Sequence, residues 1–127
     1  MVYVIDDDES IRRALQRLLR SADFEVSVFA SAEEFLQSGN LDERACVVLD
    51  IRMPGLTGFD LQEKLASMGI RMPVIIVSAF DDLDSRERAR KLGAVAFFRK
   101  PVDGQALIDA IHWAAGITNS SCPPTGS

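Results

Sequence analysis

At 127 residues and 47% hydrophobic content, the chain is long enough for one domain with its own core and too apolar to stay disordered. A domain of this size buries roughly two-thirds of its unfolded surface, so it needs neither a disulfide nor a structural metal to fold. Fourteen basic against nineteen acidic residues leave a net charge of −5, the wrong sign for a nucleic-acid surface, and no apolar run approaches the ~20 residues of a membrane span.

Val2–Ile5 is a short apolar run that reads as a strand, and the N-terminus does not read as a signal peptide. Glu9–Ala22 places Ile11, Ala14, Leu15, Leu18, Leu19 and Ala22 at steps of three and four, one face of a helix. Glu25–Phe29 alternates like a strand. Ser31-Ala-Glu-Glu34 is a capping box that opens a short helix carrying Phe35 and Leu36. Ala45–Leu49 is continuously apolar, as in a strand buried on both faces. Pro54-Gly55 makes a loop, and Thr57 caps a helix carrying Phe59, Leu61, Leu65 and Met68. Pro73–Val77 is a second buried strand, with proline at its tolerated first position. Asp81 or Asp82 caps a fourth helix that stops at Gly93. Val95–Phe98 is a fifth strand, and Asp103–Ala115 a fifth helix with Leu107, Ile108, Ile111 and Ala115 on one side. Residues 116–127, GITNSSCPPTGS, are Ser/Pro/Gly-rich and read as a flexible linker or a tail. Cys46 and Cys122 lie in dissimilar settings, strand and tail, and read as free thiols of a cytoplasmic protein.

Strict strand–helix alternation predicts a parallel α/β sheet covered on both faces, with ligands at the carboxyl ends of the strands. The residues just past each strand are therefore informative. Asp6-Asp7-Asp8-Glu9 come after the first, Asp50 after the third, Ser78-Ala79 after the fourth and Lys100-Pro101 after the fifth. If the first and third strands are neighbours, three carboxylates converge. Crowded carboxylates repel and call for a cation, and an all-oxygen set suits Mg²⁺ best. Lys100 is placed to pair with Asp50 or with an anion attached to it. A carboxylate between a divalent cation and a lysine can act as a nucleophile in phosphoryl transfer, with Ser78 donating to a transferred oxygen.

Four stretches in this order, "VIDDDE" (4–9), "VVLDIRMPGLTG" (47–58), "VIIVSA" (74–79) and "FFRKP" (97–101), resemble the receiver domain of bacterial two-component response regulators over residues 2–115. "LDIRMPGLTG" and "LGAVAFF" are most similar to the FixJ-type branch, whose receivers usually precede a helix-turn-helix DNA-binding domain. The resemblance implies a flavodoxin-like, doubly wound five-stranded sheet of order 2-1-3-4-5 with five helices. It implies a receiver over 1–115 and a linker after it, with DNA reached only through a C-terminal domain beyond the chain and no contact with membrane. Position by position, Asp50 matches the phosphoacceptor. Asp6 and Asp7 match the acidic pair that holds Mg²⁺, for which Mn²⁺ can substitute, and Arg52 supplies a ligating backbone carbonyl. Ser78 and Ala79 match the phosphate-binding switch position, Lys100 the invariant lysine, and Phe97 the aromatic switch. Pro101 follows a cis bond in the family. In the family the phosphodonor is a phosphohistidine on a sensor histidine kinase or a small phosphodonor, and the resemblance implies a phosphoacceptor domain rather than an enzyme.

Three positions depart from the family's usual residues: Val102 where phenylalanine is frequent, Phe97 where tyrosine is, and a large apolar Phe80 two residues after Ser78. Phe80 and Arg52 are expected to shield the aspartyl phosphate and slow its loss. The fourth helix has few apolar residues, Leu83, Ala89 and Leu92, and is expected to be weakly held. It and the fifth strand are the expected output face, which dimerises on phosphorylation in the FixJ-type branch. Phe97 also suits plain core packing. The run Arg86, Arg88, Arg90, Lys91 reads as a solvated face with Glu87–Lys91 support, and His112 as a surface residue. A haloacid-dehalogenase-type phosphohydrolase needs a second aspartate two residues after the nucleophile, where this chain has Arg52. No G-x-G-x-x-G or Walker loop follows the first strand, which disfavours a nucleotide-binding site.

Overall fold

The computed structural model describes residues 1–39, 42, 44–79 and 82–117, of which 115–117 as backbone alone. The order is β1 (Val2–Ile5), α1 (Glu9–Ser21), β2 (Val26–Phe29), α2 (Ala32–Ser38), β3 (Cys46–Leu49), α3 (Gly58–Ser67), β4 (Val74–Ser78), α4 (Leu83–Lys91), β5 (Ala94–Arg99) and α5 (Gly104–Ile117). All strand pairs are parallel and the sheet order is β2-β1-β3-β4-β5. The expected flavodoxin-like sheet is thus observed.

The central strands β1, β3 and β4 are buried at every position, whereas β2 and β5 are half-buried edges. Alternate strand residues feed two cores, as the two-residue period of a strand requires. Tyr3, Ile5, Val47, Leu49 and Ile76 pack under α2, α3 and α4, with Phe35, Leu61 and Leu65 as their main helical partners. Val2, Val4, Val48, Ile75 and Val77 pack under α1 and α5, against Leu15, Leu19, Leu107 and Ile111. Among the described residues, no helix is long and apolar enough to cross a membrane.

Several expectations are corrected. The stripe on α1 is narrower: Leu15 and Leu19 are buried and Ile11 and Leu18 partly so, but Ala14 faces solvent. Met68 lies at the C-cap, one residue past the end of α3, and is exposed. Ser31 accepts from the Glu34 N–H at 3.1 Å, one half of the expected box. The reciprocal box is at α3, where Thr57 Oγ1 accepts from Asp60 N–H and Asp60 Oδ2 accepts from Thr57 N–H. Asp82, rather than Asp81, caps α4. Glu87 pairs directly with Arg90 at 2.6 Å, and the Lys91 charge adds a smaller contribution to holding its carboxyl low. Asp81, Cys122 and most of the 116–127 linker lie outside the described residues.

Candidate functional site

Strand register builds the site. Ile5 of β1 lies opposite Leu49 of β3, so the next residues, Asp6 and Asp50, leave the sheet side by side. The Asp50 N–H donates to the Ile5 carbonyl at 3.0 Å and extends the ladder by one step. Ser78 ends β4 opposite Arg99, and the Lys100 N–H donates to the Ser78 carbonyl at 2.9 Å. Asp6, Asp50 and Ser78 are buried, whereas Asp7, Arg52 and Ala79 are exposed. The Lys100–Pro101 peptide bond is cis.

Lys100 Nζ lies 2.8 Å from Asp6 Oδ2 and 3.4 Å from Asp50 Oδ2. Asp6 is held at two further points: Oδ1 accepts from the Asp8 N–H at 2.9 Å, and its carbonyl accepts from Arg12 Nη1 at 2.7 Å. Asp8 caps α1, accepting from the N–H groups of Ser10 and Ile11.

The electrostatics are unbalanced. Burial, then the Asp6 charge, pushes the Asp50 carboxyl up from 3.8 to about 6, although the Lys100 charge and hydrogen bond pull the other way. Burial pulls the Lys100 ammonium down, but its hydrogen bond to Asp6 and the Asp50 charge outweigh burial and hold it above its ordinary value. One lysine therefore does not neutralise the cluster. Asp6, Asp7 and Asp50 each offer an oxygen within 4.8 Å of the others. A hard, oxygen-only, negatively charged donor set of this kind fits a small divalent cation.

The loop after β3 is held from beneath. The Gly58 N–H donates to the Ile51 carbonyl at 2.7 Å, and a Cβ on Gly58 would lie 2.4 Å from the Asp50 carbonyl oxygen and 2.9 Å from Ile51 Cα. Gly58 thus lets α3 start directly under Asp50. Sequence reasoning alone misses this role, as it does that of Arg12. A glycine at a predicted helix start is the available signal for the first.

Around α4 the basic run Arg86, Arg88, Arg90 and Lys91 is exposed, as expected, and two of its members also cover aromatic rings. Arg86 lies over the half-buried Phe97 ring at 4.9 Å, and Arg88 over the Phe59 ring at 4.4 Å. Two hydrogen bonds from Ser85 hold the exposed Asp82 carboxyl low, with the Arg52 charge a smaller cause. Phe80 lies outside the described residues. His112 is exposed and stacks on Phe24 at 4.9 Å, and Cys46 is buried in the core.

Residues 2–112 match the family described as "Response regulator receiver domain". Nodulation protein W of Bradyrhizobium diazoefficiens is 46% identical over 111 residues, covering 87% of this chain and 49% of its own length. The transcriptional regulatory protein FixJ of Azorhizobium caulinodans is 40% identical over 115 residues, covering 91% of this chain and 54% of its own. Among solved structures, the response regulator StyR aligns with a TM-score of 0.86 and 42% identity, over 93% of this chain and 60% of its own. FixJ-N aligns with a TM-score of 0.82 and 33% identity, over 90% of this chain and 91% of its own. The chain spans about half the length of the curated relatives it matches. With the matched fold and the strand-end acids in hand, the chain belongs to the response regulator receiver domain family, and FixJ-type transcriptional regulators are among its relatives.

Proposed function

We propose that the protein is a phosphorylation-activated switch in which Asp50 accepts a phosphoryl group from a phosphohistidine of a sensor histidine kinase in the cytoplasm. The observation that carries this reading is the buried Asp50 carboxylate, grouped with Asp6 and Asp7 and 3.4 Å from the Lys100 ammonium. In the transfer an Asp50 oxygen forms the new P–O bond, the P–N bond breaks, and the imidazole nitrogen keeps the electron pair. Asp6, Asp7, Asp50 and the Arg52 carbonyl would hold Mg²⁺ or Mn²⁺, which when bound neutralises charge on the phosphoryl oxygens. Lys100 orients the acceptor and pairs with the product anion. Ser78 and Ala79 bind its oxygens.

Intact mass after incubation with acetyl phosphate and Mg²⁺ tests the reading. One adduct is expected in the wild type, with none in Asp50→Asn and none without a divalent cation. A wild type that binds Mg²⁺ yet takes no adduct sinks it.

The new group carries about −1.5 to −2 charges and three strong acceptors, enough to draw Ser78 and Lys100 towards it. Phe97 and α4 then rearrange, and the α4–β5 face forms a homodimer. Leu83, 84% exposed on that face, suits a role in such a contact. Sedimentation should show a dimer of the phosphorylated wild type and a monomer of phosphorylated Leu83→Glu. Equal masses for the two argue against this face.

Residues 1–115 serve as the receiver and 116–127 as a linker to a DNA-binding output domain, a reading supported by the greater length of the relatives. Arg52 and Phe80 lengthen the life of the aspartyl phosphate. Phosphoprotein decay should quicken severalfold in Arg52→Asn and Phe80→Glu, and unchanged decay in both removes that role.

A further inference from the structure

The joint between α3 and α4 is built unlike the rest of the helical layer. α4 buries one residue, Ala89, in the core. Charged and polar groups add further attachments to α3. Arg88 lies over Phe59 and 3.7 Å from Glu63 Oε1. The most enclosed attachment is Gln62 of α3, only 2% exposed, whose Nε2 donates to the Ala89 carbonyl at 3.1 Å. The donor end is set by chemistry, since a backbone carbonyl only accepts.

This bond does the work of a helix cap from another helix. The last carbonyls of a helix lack donors one turn on. The Leu92 N–H serves Arg88 and the Gly93 N–H serves Arg90, so the Ala89 carbonyl is served from α3. The other end of the same amide is left over: Gln62 Oε1 is buried and has no hydrogen-bond partner among the described residues. Within the protein the amide is therefore tied to α4 by its Nε2 end alone. A groove of about 440 Å³ adjoins the joint, lined in part by Gln62, Leu65, Ile70, Leu92 and Val95, and leaves room at the C-terminal end of α4.

We propose that Gln62 is a releasable latch: its amide holds α4 by the Ala89 carbonyl in the unphosphorylated protein and lets go when α4 rearranges. The inference rests on the switch reading above. The bonded Nε2 makes the latch hold, because breaking it strands a carbonyl at a helix end. Release costs that one bond alone, because Oε1 makes no further bond to the protein in the latched state. A fully satisfied amide would lock the joint instead.

Two measurements on the whole chain test the latch. In the unphosphorylated protein, Gln62→Leu should speed hydrogen exchange in 86–93 at least tenfold and leave α1 within twofold of the wild type. Exchange in 86–93 within twofold of the wild type overturns the hold. The second measurement needs no variant, so a poorly folding Gln62→Leu does not block it. By NMR, the Gln62 side-chain amide protons of the wild type should exchange at least tenfold more slowly than those of Gln16 and Gln105. Phosphorylation of Asp50 should abolish that protection. Equal exchange for the three glutamines overturns the hold. Persistent protection in a sample whose mass shows full phosphorylation overturns the release, while a missing mass adduct overturns the switch reading itself.

Discussion

Metal-free Asp50→Asn is expected to be more stable than the wild type at pH 7, although it removes the proposed acceptor. The carboxyl is pushed up from 3.8 to about 6 in the folded protein, first by burial and then by Asp6, so folding disfavours its charged form. The folded state therefore binds the proton more tightly than the unfolded state, and stability falls as pH rises between these values. Below about pH 4 the carboxyl is neutral in both states and no penalty exists. Above about pH 6 the penalty is complete, on the order of 2–3 kcal/mol from the size of the shift. Urea unfolding in EDTA should give a higher midpoint for Asp50→Asn at pH 7.5 and a difference that shrinks towards pH 4. A lower midpoint at pH 7.5 contradicts the desolvation argument. A divalent cation should narrow the gap, because it stabilises the wild-type cluster by mass action.

Gly58→Ala is the second large effect. The added methyl meets the Asp50 carbonyl oxygen at 2.4 Å and Ile51 Cα at 2.9 Å, both backbone, so no side chain can swing away to make room. Relief requires shifting the first turn of α3 or the chain at 50–51, and overpacking of this kind costs about 1–3 kcal/mol. The shift falls on the acceptor itself, so phosphoryl uptake should drop by an order of magnitude or more, beyond what the lost stability explains. Adduct formation at 10 °C, where the variant is still folded by circular dichroism, separates the two effects. A variant with wild-type uptake there would show that the loop tolerates displacement.

Much of the fold and site is legible in the sequence because burial patterns are local. Continuous apolar runs at 45–49 and 73–77 mark strands covered on both faces, and the residues just after them mark the ligand edge of a parallel sheet. The acids at 6, 7 and 50 and the lysine at 100 are found in this way. The attachments of α4 are not legible. Gln62 and Ala89 are 27 residues apart, and a side-chain amide reaching the backbone of another helix leaves no periodic trace. Arg86 and Arg88 read as solvated cations, since nothing local reveals the Phe97 and Phe59 rings beneath them. Gly58 stands in a motif the family shares, but the reason for glycine is the Asp50 carbonyl, a contact that exists only once α3 has docked.

The sequence by itself determined the alternation of strands and helices, the faces most helices bury, and which chemical groups end each strand. These arise from residue type and from periods of 2.0 and 3.6, which act over a few neighbours. Tertiary structure decided that Asp6 and Asp50 meet, through the Ile5–Leu49 register, and that Lys100 stands 2.8 Å from one and 3.4 Å from the other. It also decided which groups fasten α4: Gln62 on the Ala89 carbonyl and Arg88 over the Phe59 ring. Strand adjacency and interhelical contacts arise when the two apolar layers close on the sheet, so their geometry belongs to the packed chain and not to any one segment.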